Sequence, residues 1–309
     1  MRQWLPKWVI TSMAIVCGAL LVNGCTAQVW AAPPAAENIP RATVVAPQAP
    51  LPVLPAAPPA QPTAPLAGLD ARVRQATADA AASGADIETV VLDRDTGQTV
   101  SNGVNKPFPI ASVVKLFIAD DLLLQESEGK TQLSPADHKS LDIMLRSSDD
   151  SAAQMFWDRS GQNAIIARVV ARYGLTGTTA PYNRHWDVTQ STASDLVRYY
   201  DMLLDGTGGL PPEQANVIIS NLAQSTPTGT DGYPQRFGIP EGLYAEPVAV
   251  KQGWFCCWNR GNQLHVSTGA IGPERRYVMA ISSLDPVDAA SARSTITQVV
   301  KTMFPGGRI

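Results

Sequence analysis

The stretch from 31 to 66 sets the first limit on this chain: 11 of its 36 residues are proline and 11 are alanine. Proline lacks a backbone N–H and drives the residue before it toward extended geometry, so neither helix nor ladder survives that density. The segment is expected to be a semi-rigid tether, with a reach on the order of 100 Å at ~3.1 Å per residue. The folded part is then confined to residues 67–309, enough for one large domain. A content of 45% hydrophobic and 17% charged residues supports a sizeable core there. The net charge of -3 lacks the basic excess of a nucleic-acid binder, so no nucleic-acid partner is expected. The cysteines at 17, 25, 256 and 257 form no C-x-x-C or Cys/His cluster, and His138, His185 and His265 stand alone. No metal and no other cofactor is therefore expected.

The N-terminus reads as a targeting segment. Arg2 and Lys7 supply positive charge, and an apolar stretch from Trp8 to Val22 follows. It meets Val22-Asn23-Gly24-Cys25. A cysteine directly after Gly24 resembles a bacterial lipobox, which makes residues 1–24 the signal peptide, Cys25 the lipidated mature N-terminus and 25–66 the tether. The competing reading is a plain secretory signal cut near Ala27 or Ala32. The lipidated form would sit on the extracytoplasmic face of the cell membrane, with the membrane, through the lipid on Cys25, as its first partner. No unbroken apolar run reaches the 18 or so residues that a spanning helix needs.

Beyond the tether, residue periodicity gives an order of elements. Asp70 is placed to cap a first helix reaching Ala82. Ile87–Leu92 and Thr99–Ser101 flank the turn Arg94-Asp95-Thr96-Gly97 and read as a hairpin. Helices are expected over 112–125, from Ser134 to Leu145, over 150–159 and over 164–173. Two more are expected from Thr192 to Leu204 and from Pro211 or Pro212 to Leu222. Ser134–Asp137 and Thr192–Asp195 read as capping boxes. Strands over 248–256, 264–271 and 277–283 come next, then an amphipathic helix from about Val287 to Met303. Strands at both ends with helices between them predict an α+β fold. An antiparallel five-stranded sheet is flanked by the N- and C-terminal helices and joined by an all-helical lobe, with chemistry expected in the cleft between.

Ser112-Val113-Val114-Lys115 is S-x-x-K at a helix start, which puts hydroxyl and amine on one face. A helix N-terminus also leaves the Ser112 N–H unpaired. Two further motifs follow: Ser148-Asp149-Asp150 between two helices, and Lys251-Gln252-Gly253 at the start of a late strand. In order and context these resemble the S-x-x-K, S-D-N and K-T-G set of serine β-lactamases and penicillin-binding proteins. The resemblance covers roughly 70–309. It implies acyl transfer: Ser112 as nucleophile, Lys115 as base, Ser148 as proton relay. Asp150, Lys251, Gln252, Gly253 and Trp254 would bind substrate, with the Ser112 and Trp254 N–H groups as the oxyanion hole. D-alanine-type peptides, β-lactam-like amides and peptidoglycan fragments are the ligands it implies.

Three departures bear on that implication. Asp150 stands where the family has asparagine; a carboxylate only accepts, and contact with Lys115 would favour the ammonium. Gln252 replaces a hydroxyl residue, with an amide of longer reach. No W-E-P-E-like segment follows Tyr182, so the glutamate that activates water in class A β-lactamases has no counterpart, and Asp187 is the available substitute. Efficient β-lactam hydrolysis is therefore not expected. Enzyme and non-catalytic binding protein both stand as readings. Two readings also stand for Trp254-Phe255-Cys256-Cys257-Trp258: a buried strand with two core cysteines, or a vicinal disulfide favoured by an oxidising milieu.

Overall fold

The computed structural model describes residues 66–259 and 261–309. The signal, Cys25 and the tether up to residue 65 lie outside them. Helix α1 (Leu69–Ala82) leads to strands β1 (Asp86–Asp93) and β2 (Gln98–Ser101). Strand β3 (Phe108–Pro109) precedes a 3-10 turn over Ala111–Val114 that runs directly into α2 (Lys115–Ser127). Helices α3 (Pro135–Arg146), α4 (Asp150–Arg159) and α5 (Asn163–Tyr173) follow. Strand β4 (Gln190–Ser191), α6 (Ala193–Asp205), α7 (Pro212–Ala223) and the single turn α8 (Ile239–Gly242) come next. Strands β5 (Val248–Trp258), β6 (Asn262–Ile271) and β7 (Tyr277–Asp285) and helix α9 (Ala289–Met303) close the chain.

Strands β1, β2, β5, β6 and β7 make the five-stranded antiparallel sheet that the residue pattern predicts, in the order β2-β1-β7-β6-β5. Alternation along each strand sends successive side chains to opposite faces. Ile87, Val91, Met279 and Ile281 pack on one face with Val73 of α1 and Ile296 and Val300 of α9. Val90, Val266, Val278 and Ala280 face the other way, into the helical lobe. Helix α2 runs through that lobe, and every residue from Lys115 to Leu123 is buried. Two of its three acids, Asp120 and Asp121, are buried too, and each has a basic partner. Asp121 is clamped by Arg168 through two 2.7 Å bonds. Asp120 pairs with Arg172 and accepts hydrogen bonds from Tyr173 and Tyr199.

Local differences have local causes. Ser134 and Asp137 form the full reciprocal box. Thr192 caps α6 by accepting from the Asp195 N–H, but the Asp195 carboxylate turns away to Gly177 N and Thr178 Oγ1, leaving half a box. Asp70 lies in the first turn of α1, whose cap position is Gly68 in left-handed geometry. The β3–β4 pair was not foreseen, because two-residue strands carry no period. Leu66, assigned to the tether by composition, is buried against the same cluster as Leu69 and Val73.

Candidate functional site

The turn that carries Ser112 is shaped by backbone geometry. Ala111, just before Ser112, has φ 47, and Ser148 has φ 57, both in the left-handed region that non-glycine residues rarely occupy. The 3-10 turn directs Ser112 and Lys115 to the same side, and Lys115 Nζ lies 2.8 Å from Ser112 Oγ. Ser148 sits in the link between α3 and α4. Asp149 is spent there capping α4, accepting from the Ala152 N–H at 2.7 Å. The 226–235 loop fastens this link to the rest of the site: Thr230 N–H donates to Ser147 O at 2.9 Å, and Gln235 Nε2 donates to Arg146 O at 3.1 Å.

Strand β5 is the sheet edge that faces this turn. Ala249 and Phe255 pack with the lobe, and Val250 and Trp254 with the opposite face. Lys251 and Gly253 share the parity of Ala249, so both face the cleft. Lys251 Nζ donates to Ser148 Oγ at 2.9 Å and to Gln252 O at 3.0 Å. A Cβ on Gly253 would fall 2.5 Å from Ile110 O and 3.2 Å from Ser112 N. The glycine is thus needed for the chain's own turn to approach β5. Gln252 has the other parity. It is buried, its amide nitrogen donates to Gln235 O and Phe237 O, and its Oε1 has no partner. It offers the cleft no donor, contrary to the expectation drawn from its reach.

Lys115 is the hub. Its Nζ also lies 2.6 Å from Ser148 O, 3.3 Å from Ser148 Oγ and 2.5 Å from Asp150 Oδ1. The two contacts that separate the readings of the sequence, to Ser112 and to Asp150, are both present. Burial pushes the Lys115 amine below the usual lysine range, and Asp150 opposes the shift without cancelling it. Burial and the charge of Lys115 push Lys251 well below that range as well. From the 186–188 turn the Trp186 ring covers Lys115, its centroid 4.8 Å from Nζ, and Trp186 Nε1 donates to Gln154 Oε1. Among the described residues, an aromatic ring faces Lys115 from that loop, and Asp187 makes no ion pair or hydrogen bond with it.

Two contributors escaped the sequence reading. Trp186 belongs to no motif and enters from the loop that holds Asp187. Asp231 lies in a Thr-Gly-Thr-Asp-Gly loop that carries no motif; it accepts from Trp254 Nε1 at 3.2 Å and acts electrostatically on both lysines. Trp254 stacks on Tyr233 with ring centroids 4.9 Å apart. Cys256 and Cys257 are exposed at the end of β5 and joined by a disulfide, so the reading as core cysteines is set aside.

A serine–lysine pair at the head of a buried helix, a second serine between two helices and a second lysine on an edge strand mark the β-lactamase-like class of folds. Residues 69–136 and 139–304 match the Beta-lactamase enzyme family, and the chain belongs to that family. It is 64% identical over 241 residues to lipoprotein LppW of Mycobacterium tuberculosis (strain H37Rv), covering 78% of this chain and 76% of that protein. The Mycobacterium bovis LppW matches at the same identity and coverage. Among solved structures, PBP-A aligns with a TM-score of 0.62 at 18% identity, covering 79% of this chain and 97% of PBP-A. A β-lactamase from Xanthomonas campestris aligns at 0.61 with 17% identity, covering 76% and 97%. At such identities the structural likeness speaks for the fold alone.

Proposed function

We propose that this is a membrane-anchored lipoprotein of the cell envelope whose cleft carries out serine acyl transfer on D-alanine-type peptides or β-lactam-like amides. The supporting observation is the set of partners around Lys115 Nζ. Ser148 O and Asp150 Oδ1 can only accept. A neutral amine gives its two N–H bonds to them and keeps its lone pair for the Ser112 hydroxyl, 2.8 Å away. Ser112 Oγ then attacks the carbonyl carbon while its proton passes to Lys115. Ser148, held by Lys251, delivers a proton to the departing nitrogen as the C–N bond breaks. With an aromatic ring over Lys115 where a water-activating carboxylate would be required, the acyl-enzyme is long-lived and β-lactam turnover is slow. The anchor, a lipid on Cys25, draws support from the lipobox-like residues and from the name of the relative.

The Asp150 contact favours a second reading, in which the carboxylate holds Lys115 as the ammonium and the cleft only binds wall fragments. Incubation with millimolar penicillin and, in parallel, with an uncharged activated ester, followed by peptide mass mapping, separates the two. The first reading expects an adduct on Ser112 that disappears in Lys115→Ala. The absence of any adduct from either reagent supports the second.

A further inference from the structure

Three arginines meet where the β1–β2 turn lies against the β6–β7 turn, and two of them have acids. Arg94 holds Asp201 at 2.8 Å, and Arg276 holds Asp93 and Asp95. Arg275 forms no ion pair among the described residues. Its Nη1 reaches Pro247 O only at 3.5 Å, and its Nε and Nη2 have no acceptor among those residues. Burial lowers the pKa of this half-buried guanidinium, and no neighbouring charge opposes the shift. Arg275 lines a groove of about 410 Å³ between the end of α6, helix α7 and the β6–β7 turn. Leu204, Pro212, Ala215 and Ile219 form its apolar wall, and Asn216 and Ser220 add neutral polar groups. Asp205 is the acid on the lining, and its Oδ1 is held by the Thr207 N–H at 2.8 Å and the Thr207 hydroxyl at 2.6 Å. Neither Asp205 nor the adjoining, exposed Glu274 pairs with Arg275.

We propose that this groove binds a straight-chain carboxylate, with the acyl chain along the apolar wall and the carboxylate on Arg275. A half-buried cation with no acid of its own favours an anion, and the guanidinium fork matches the two oxygens of a carboxylate. The volume falls within the ~300–1,000 Å³ of small-molecule sites. A single guanidinium with Asp205 on the same lining suits a monoanion, because a phosphate dianion would bring a second charge against that acid. The wall offers no hydrogen-bonding group to a sugar or a peptide, whereas each methylene laid on it leaves water. The groove shares no lining residue with the Ser112 cleft, and its occupancy is read without any acylation.

The test is calorimetric titration of the full chain with decanoate, decan-1-ol, decylammonium and decyl phosphate, each kept below its micelle concentration. Decanoate is expected to bind at least ~10-fold more tightly than the alcohol, the gain of one charge-assisted hydrogen bond, and the ammonium more weakly than either. Octanoate is expected to bind at least ~4-fold more weakly than decanoate, the worth of one fully buried methylene. Arg275→Gln should cost decanoate ~10-fold and leave the alcohol unmoved. Ala223→Phe, at an exposed position on the groove, should weaken both. Decanoate binding no tighter than the alcohol, a decanoate affinity unmoved by either variant, tighter binding of decyl phosphate, or no binding at all overturns the proposal.

Discussion

Lys115 has four acceptors within reach and at most three protons to give them, so its protonation state decides whether Ser112 is a nucleophile or a spectator. Asp150 is the one partner that favours the ammonium by charge. Asp150→Asn removes that charge and should lower the Lys115 pKa further. Acylation of Ser112 should then be faster at neutral pH, and its rate–pH midpoint should fall. In the unaltered protein the rate should rise with pH to a plateau reached below the usual lysine range. The same shift has a stability consequence. A lysine with a folded-state pKa below its unfolded value binds fewer protons in the fold, so its contribution rises with pH between the two values. Denaturant melts of the Asp150→Asn protein should show that rise beginning at lower pH, and an unchanged onset would contradict the shift. At this scale the sequence singled out Ser112, Lys115, Ser148 and Lys251, which the fold brings together, through three motifs. It did not disclose Asp231 or Trp186, because loops bring them in from far along the chain. The turning of Gln252 was available from strand parity, since it lies one residue from Lys251.

The elements hold these groups by close approach more than by long reach. Gly253 lets β5 lie against the turn 110–112, and any side chain there meets backbone rather than a flexible tip. Gly253→Val should push the edge strand from the turn, separating the Trp254 and Ser112 N–H groups. Overpacking of this kind costs about 1–3 kcal/mol of stability. Misplacement of reacting groups costs far more in rate, on the order of 10²-fold. The variant should therefore melt a few degrees lower yet lose nearly all Ser112 labelling; retained labelling would remove the proposed role of Gly253. Helix and strand identities were legible here because their signals are local: the box of Ser134 with Asp137, and the β-rich run Ile87–Leu92. What was illegible depended on distant partners. The Asp195 carboxylate left its box for Gly177 and Thr178, and β3 exists only because β4 returns beside it.

Across the whole molecule, the first and last helices lie on the same face of the sheet, so residues at both ends of the domain finish one core. Leu66 takes part in that core although it follows a run of prolines, and a boundary drawn from composition alone falls one residue too late. The apolar cluster it joins includes Leu69, Val73, Met279, Ile296 and Met303. Its exposure of 2% means that Leu66→Ala should leave a cavity against packed neighbours. Such substitutions cost about 2–5 kcal/mol, the spread reflecting how far the site can collapse. The Ser112 cleft lies on the opposite face of the sheet, so the fully folded variant should keep its Ser112 labelling at low temperature while its melting point falls. A chain begun at Pro65 should melt with the full-length protein, and a chain begun at Ser83, lacking α1, should fail to fold cooperatively. If Leu66→Ala leaves the melting temperature unchanged, the residue belongs to the tether after all and the core begins at α1.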